Sequence, residues 1–123
     1  MPARIYQAKY FLSKEFDCKC GCGLNNIDPK LISMLDEARG IIGIPLVISS
    51  GCRCKQNNKD AGGSITSSHL TGLAVDIKCY NSQTRYKLIM ALSDAGFNRF
   101  GISKTFIHTD IDKLKPACLI YLY

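Results

Sequence analysis

The chain has 123 residues, 46% of them hydrophobic, and its 16 basic and 10 acidic side chains leave a formal charge of +6. That length suits one compact core and leaves too little chain for two comfortable domains, so a single domain over residues 1-123 is expected. No apolar run approaches the roughly 18 residues a membrane-spanning helix needs, and no basic stretch followed by an apolar core opens the chain, so no membrane partner and no export signal are expected.

Residues Met1 to Phe16 mix aromatic and polar groups and read as an ordered arm, with Tyr10, Phe11 and Phe16 available to cover a sheet edge or a helix. The run Asp17-Cys18-Lys19-Cys20-Gly21-Cys22-Gly23 that follows is loop by its glycines. Asp28-Pro29 then predicts a helix start, an N-cap followed by proline at the first helical position. Leu31, Ile32, Leu35 and Ala38 lie three, four and seven residues apart and form its apolar stripe, which Gly40 or Gly43 ends. Pro45 to Ser50 reads as a short strand that delivers Gly51 and Arg53 to its end, where site residues commonly sit. Asn57 to Ser67 is polar and glycine-bearing, hence a loop.

Leu73 to Cys79 is a strand by alternation, and Asn81 or Ser82 can cap a helix carrying Tyr86, Ile89, Met90 and Ala91 toward a stop at Gly96. Phe100 to Ile102, Phe106 to Ile111 and Leu119 to Leu122 are three further strands, with Lys113 to Pro116 as a turn. Helices and strands mix without regular β-α-β alternation. The expected fold class is therefore α+β, a small antiparallel sheet with helices packed against it.

His69 and His108 are the only histidines, and each has an acid nearby. Side chains alternate along a strand, so Leu73, Val75 and Ile77 share one face and Asp76 takes the other. By the same rule Phe106, His108 and Asp110 share a face, opposite Ile107. If the two strands pair, Asp76 and His108 meet, and His69 returns from the preceding loop. Two imidazoles and one carboxylate suit zinc, and three protein ligands leave a fourth position for water.

The pattern Ser67-x-His69-x-x-Gly72-x-Ala74-x-Asp76, followed by a distant histidine, resembles the zinc D-Ala-D-Ala carboxypeptidases and related cell-wall peptidases, among them phage endolysins and vancomycin-resistance dipeptidases. Ser49-Ser50-Gly51-Cys52-Arg53-Cys54, Asn58 and Gly62-Gly63 are similar to that family's arginine-bearing segment, and Gly96 to Ile102 leading into Phe106-Ile107-His108-x-Asp110 is similar too. The resemblance implies a hedgehog/D-Ala-D-Ala peptidase-like fold in which His69, Asp76 and His108 hold one catalytic zinc, Arg53 faces substrate and Ser67 helps bind it. It also implies hydrolysis of peptide bonds in peptidoglycan stem peptides, by a carboxypeptidase or an endopeptidase. Many members carry an acidic base three residues before the last zinc histidine, and others a histidine two before it. Thr105 and Phe106 stand there in this chain. Asp110, whose parity matches His108, is the local substitute as catalytic base, or else a partner that orients an imidazole N–H. The alternative function is a zinc-containing binding or structural module that does not hydrolyse peptides.

Seven cysteines cannot all pair within one chain. Without an export signal, cytoplasmic synthesis keeps them reduced, leaving free thiols, a thiolate metal site or later oxidation. The C-x-C-x-C spacing of Cys18, Cys20 and Cys22 differs from the C-x-x-C of common zinc knuckles, so a second, cysteine-bound ion ranks below one catalytic zinc. Cys79 and Cys118 read as small core hydrophobes. The basic residues are scattered, which favours solubility, then attraction to anionic wall polymer, over nucleic acid. A monomer that meets peptidoglycan peptides after release, as a phage-encoded enzyme would, or that acts on recycled peptides in a bacterial cytosol, is the expectation.

Overall fold

The structure is a computed structural model that describes residues 8–123. The first seven residues of the expected arm lie outside the described residues. Its remainder contains a 3-10 turn, Ser13–Phe16, and buries Phe11 and Phe16 in the core.

Helix α1, Pro29–Ile42, starts as its sequence predicts: the Asp28 carboxylate accepts from the Lys30 N–H at 2.8 Å, and Pro29 needs no donor there. Leu31, Ile32, Leu35 and Ala38 are its buried residues, and Gly43 ends it in the left-handed conformation. A short helix α2, Lys55–Asp60, follows strand β1, Ile48–Ser50. Helix α3, Ser82–Asp94, is capped by Asn81, whose side chain accepts from the Thr84 N–H at 2.8 Å.

Strands β2 (Ala74–Lys78), β3 (Arg99–Ile102), β4 (Phe106–Asp110) and β5 (Leu119–Leu122) complete a five-stranded sheet in the order β1-β2-β4-β3-β5. β1 with β2, β2 with β4 and β4 with β3 are antiparallel, but β5 runs parallel to β3. The sheet is therefore mixed, a correction to the all-antiparallel expectation. The physical reason is the path from β4 to β5: residues 111–118 carry the chain back across the sheet end, so β5 enters alongside β3 in the same direction instead of hairpinning onto β4. The α+β class itself holds.

The sheet has one apolar face. Val75, Ile77, Ile107 and Phe100 are buried there with the stripes of α1 and α3 in one core, and taking that apolar surface out of water stabilises the fold. The α3 stripe is Leu88, Ala91 and Leu92; Tyr86 and Met90 are exposed, because the helix turns its 88/91/92 arc to the core. The opposite face carries Asp76, His108, Asp110, Arg99 and Gly101, and it is polar. Cys79 is buried as expected, whereas Cys118 is exposed at a positive φ of 59°, so it contributes no core packing.

Candidate metal centre

β2 and β4 pair so that Asp76 faces His108 directly. The Asp76 Oδ1 lies 3.0 Å from His108 Nδ1. His69 arrives from a 3-10 turn, Ser68–Thr71, whose N-cap Ser67 accepts the His69 N–H at 3.3 Å through its hydroxyl. The turn closes at Gly72, in the left-handed region at φ 73°. A Cβ there would stand 2.0 Å from the Asn26 carbonyl oxygen, so both conformation and close approach require glycine. His69 Nε2 is thereby brought to 3.2 Å from the same Asp76 oxygen.

One donor atom from each of His69, Asp76 and His108 falls within 4.8 Å of the others, and all three residues are buried. The second nitrogen of each imidazole is engaged away from that point. His69 Nδ1 donates to the Gly51 carbonyl at 2.7 Å, and His108 Nε2 donates to Asp110 Oδ2 at 2.8 Å. With those partners accepting, each neutral ring would be left with a lone pair to give to an ion beside Asp76, the arrangement that carbonyl and carboxylate partners give metal-binding histidines. Two imidazole nitrogens and one carboxylate oxygen converging in this way fit a zinc ion.

Without a metal the same groups share protons. Burial opposes charge on Asp76, but hydrogen bonds from His108 and His69, and their charge, hold its carboxyl well below the usual carboxylate range. Burial likewise disfavours an imidazolium at His108, yet hydrogen bonds to Asp110 and Asp76 outweigh it and raise the pKa above its ordinary 6.5. Asp110 is also held low, against burial, by His108 and then Arg99.

The flanks of the centre come from four places. Arg53, just past β1, puts Nη2 3.2 Å from Asp76 Oδ2 while Nε donates to Ser50 Oγ at 3.0 Å and Nη1 to Asn58 Oδ1 at 3.2 Å. Arg99 on β3 donates through Nε to Asp110 Oδ1 at 2.7 Å and also reaches the Pro116 carbonyl. Lys115 donates to Ser68 Oγ at 2.8 Å, and that hydroxyl donates to Asp112 Oδ2 at 2.8 Å. Tyr121 and Tyr123 stand on β5 and just beyond it; the Tyr121 ring lies over Gly101, where a Cβ would come within 2.6 Å of it. Burial pushes both phenols above their ordinary pKa, so they stay protonated donors.

These side chains line a cleft of about 410 Å³ that contains Arg53, Ser67, His69, Asp76, His108 and Tyr121. A larger cavity of about 580 Å³ lies behind Arg99 and Asp110 and contains none of the three converging donors. Every residue singled out in the sequence, Arg53, Ser67, His69, Asp76, His108 and Asp110, therefore lines one cleft. Sequence reasoning missed Arg99, Lys115, Tyr121 and Tyr123. Parity along β3 could have placed Arg99 beside Asp110, but the tyrosines reach the cleft through the parallel β3–β5 pairing, which has no local signal.

A search of the curated proteins returns no match. The family model described as peptidase M15 matches residues 9–112, a span that takes in all three converging donors and stops short of β5. With the match covering most of its length, and with a donor set of the kind zinc requires at the heart of the matched region, the chain belongs to the peptidase M15 family of zinc metallopeptidases.

Proposed function

We propose that the protein hydrolyses peptide bonds of peptidoglycan stem peptides, with His69, Asp76 and His108 as the zinc ligands. The observation that carries this reading is the convergence of His69 Nε2, Asp76 Oδ1 and His108 Nδ1, each imidazole braced from behind. Zinc, when bound, supplies a Lewis acid that polarises the scissile carbonyl and makes water acidic enough to attack at neutral pH.

The chain's own groups supply the rest. Arg53 presents a fixed positive charge and a fork of donors beside Asp76, suited to a substrate carboxylate or to the oxyanion that develops on the carbonyl. The Tyr121 phenol offers a second donor on the far wall. Ser67 orients the His69 turn and lends its hydroxyl to the cleft rim. Asp110 lies behind His108, on Nε2, while the nitrogen facing Asp76 is Nδ1; its two oxygens are taken by His108 and Arg99. Asp110 accordingly acts through His108, as the partner that orients its N–H, and does not receive the proton of attacking water.

A second reading is a zinc-holding module without hydrolytic activity. It is favoured by one observation: the only carboxylates lining the cleft are Asp76 and Asp110, and both are engaged, with Thr105 and Phe106 at the positions where relatives carry a base. Incubating the zinc-loaded protein with purified peptidoglycan separates the two. New amino termini or released D-Ala, absent with His69→Ala, support the peptidase; intact wall peptides in the presence of stoichiometric zinc support the module.

A further inference from the structure

We propose that Cys18, Cys20, Cys22 and Cys54 form a second metal site, a tetrathiolate centre that takes zinc and holds the Arg53 segment in place. Their four sulfurs all lie within 4.8 Å of one another, the only such cysteine group among the described residues. Cys18 Sγ is 3.4 Å from Cys20 Sγ, and Cys20 Sγ is 3.7 Å from Cys54 Sγ. Four thiolates at a zinc–sulfur distance of about 2.3 Å in a tetrahedron stand about 3.8 Å apart, whereas a disulfide needs about 2.05 Å. All seven cysteines are free. The spacing is that of ligands gathered around an ion.

The backbone is arranged for it. Gly21 and Gly23 take positive φ of 85° and 86°, Gly21 N–H donates to the Cys18 carbonyl at 3.3 Å, and Cys18 N–H donates to the Leu24 carbonyl at 2.9 Å. This wraps three alternating sulfurs around one point instead of splaying them to opposite sides of a strand. The fourth comes from the N-cap of α2. Main-chain donors already address the sulfurs: Cys54 N–H points to Cys18 Sγ and Asn57 N–H to Cys54 Sγ, each at 3.4 Å. Cys20 and Cys22 are exposed, so an ion has a path from solvent.

The odd cysteine count then has a structural meaning. Four residues serve the ion, and Cys52, Cys79 and Cys118 stand outside it. The site also explains why the segment 51–54 is held so firmly. Cys52 N–H donates to the Phe16 carbonyl at 2.9 Å, and an ion on Cys54 would anchor the far side of Arg53. Between those anchors lies Arg53, whose guanidinium meets Asp76, and the Gly51 carbonyl that braces His69 shares its peptide unit with the anchored Cys52 N–H. Each thiol releases its proton to solvent as the ion binds.

Elemental analysis of protein produced with zinc and purified without chelator tests this. Two zinc ions per chain are expected in the parent protein, one in His69→Ala/His108→Ala and one in Cys20→Ser/Cys22→Ser. Cobalt exchanged into the histidine variant should give an intense sulfur-to-cobalt charge-transfer band that the folded cysteine variant lacks. One zinc in the parent protein, unchanged by the cysteine substitutions, would overturn the proposal. If the cysteine variant does not fold, a cobalt-loaded histidine variant without a thiolate band overturns it equally, as would disulfides among these four residues in freshly isolated protein.

Discussion

Asp76 and His108 face each other across the β2–β4 pair, and their side chains meet at 3.0 Å on the polar side of the sheet while Val75, Ile77 and Ile107 fill the apolar side. One register thus serves both the core and the site. A slip of one residue would send His108 into the core and Ile107 into the cleft, so the burial that stabilises the sheet also fixes the two donors opposite one another.

Removing the brace behind His108 should weaken metal binding without unfolding the chain. Asp110→Asn keeps the shape but loses the charge that both His108 and Arg99 meet. A 10–100-fold loss in zinc affinity is expected, the usual scale for a partner behind a ligating histidine. Competition titration with a chelator measures it, and unchanged affinity would return Asp110 to a role in proton transfer.

Arg53 should matter for turnover more than for zinc. Arg53→Ala removes the donors nearest the cleft, and by analogy with other oxyanion donors a fall of about 10²–10³ in kcat is expected. Arg53→Lys should recover only part, since an ammonium cannot serve Ser50, Asn58 and Asp76 together. Steady-state kinetics on a wall-peptide substrate, with zinc content measured in parallel, checks both.

Gly101→Ala should distort the far wall. The new methyl would lie within 2.6 Å of the Tyr121 ring, and the ring must swing away from the cleft. A stability loss of about 1–3 kcal/mol, the usual cost of overpacking, is expected together with a raised KM. Thermal unfolding and kinetics read the two effects separately, and Tyr121→Phe, which keeps the ring, should lower kcat while leaving stability nearly unchanged.

Proton and zinc should compete at His108. In the metal-free chain its raised pKa stabilises the fold below the ordinary 6.5, and that contribution is lost as pH climbs through the higher folded value. Asp76 and Asp110, both held low, stabilise above the ordinary 3.8 and lose that contribution as pH falls through their folded values. Metal-free protein should therefore be most stable between about pH 3.8 and 6.5. Zinc affinity should run the other way, rising with pH as His108 gives up its proton. Unfolding midpoints with and without zinc across that range test the opposed slopes.

Most of the centre was legible because it depends on local rules. Alternation placed Asp76 and His108 on the face opposite Val75 and Ile107, and the Asp28-Pro29 and Asn81 caps marked α1 and α3. The sequence left two roles open for Asp110, a base or a partner that orients an imidazole N–H, and did not choose between them. Parity puts it on the face of His108, but only the ring orientation shows that it stands behind the imidazole. Helix α2 escaped because its six residues bury only Asn58 and carry no apolar stripe; a cap by the Cys54 sulfur starts it. The direction of β5 is decided by the path of residues 111–118 and not by any residue in the strand, which is why the sheet reads as antiparallel and the two tyrosines of the cleft went unread. Tyr86 and Met90 misled for a different reason: α3 carries two apolar arcs, and tertiary packing selects the one with Leu88 and Leu92.

Diffraction from zinc-loaded crystals at the zinc absorption edge would show whether one ion sits among the three donors. An anomalous peak is expected about 2.0–2.2 Å from His69 Nε2, an Asp76 carboxylate oxygen and His108 Nδ1. Zinc-replete crystals in which the three residues are ordered and no peak lies between them would contradict the ligand assignment.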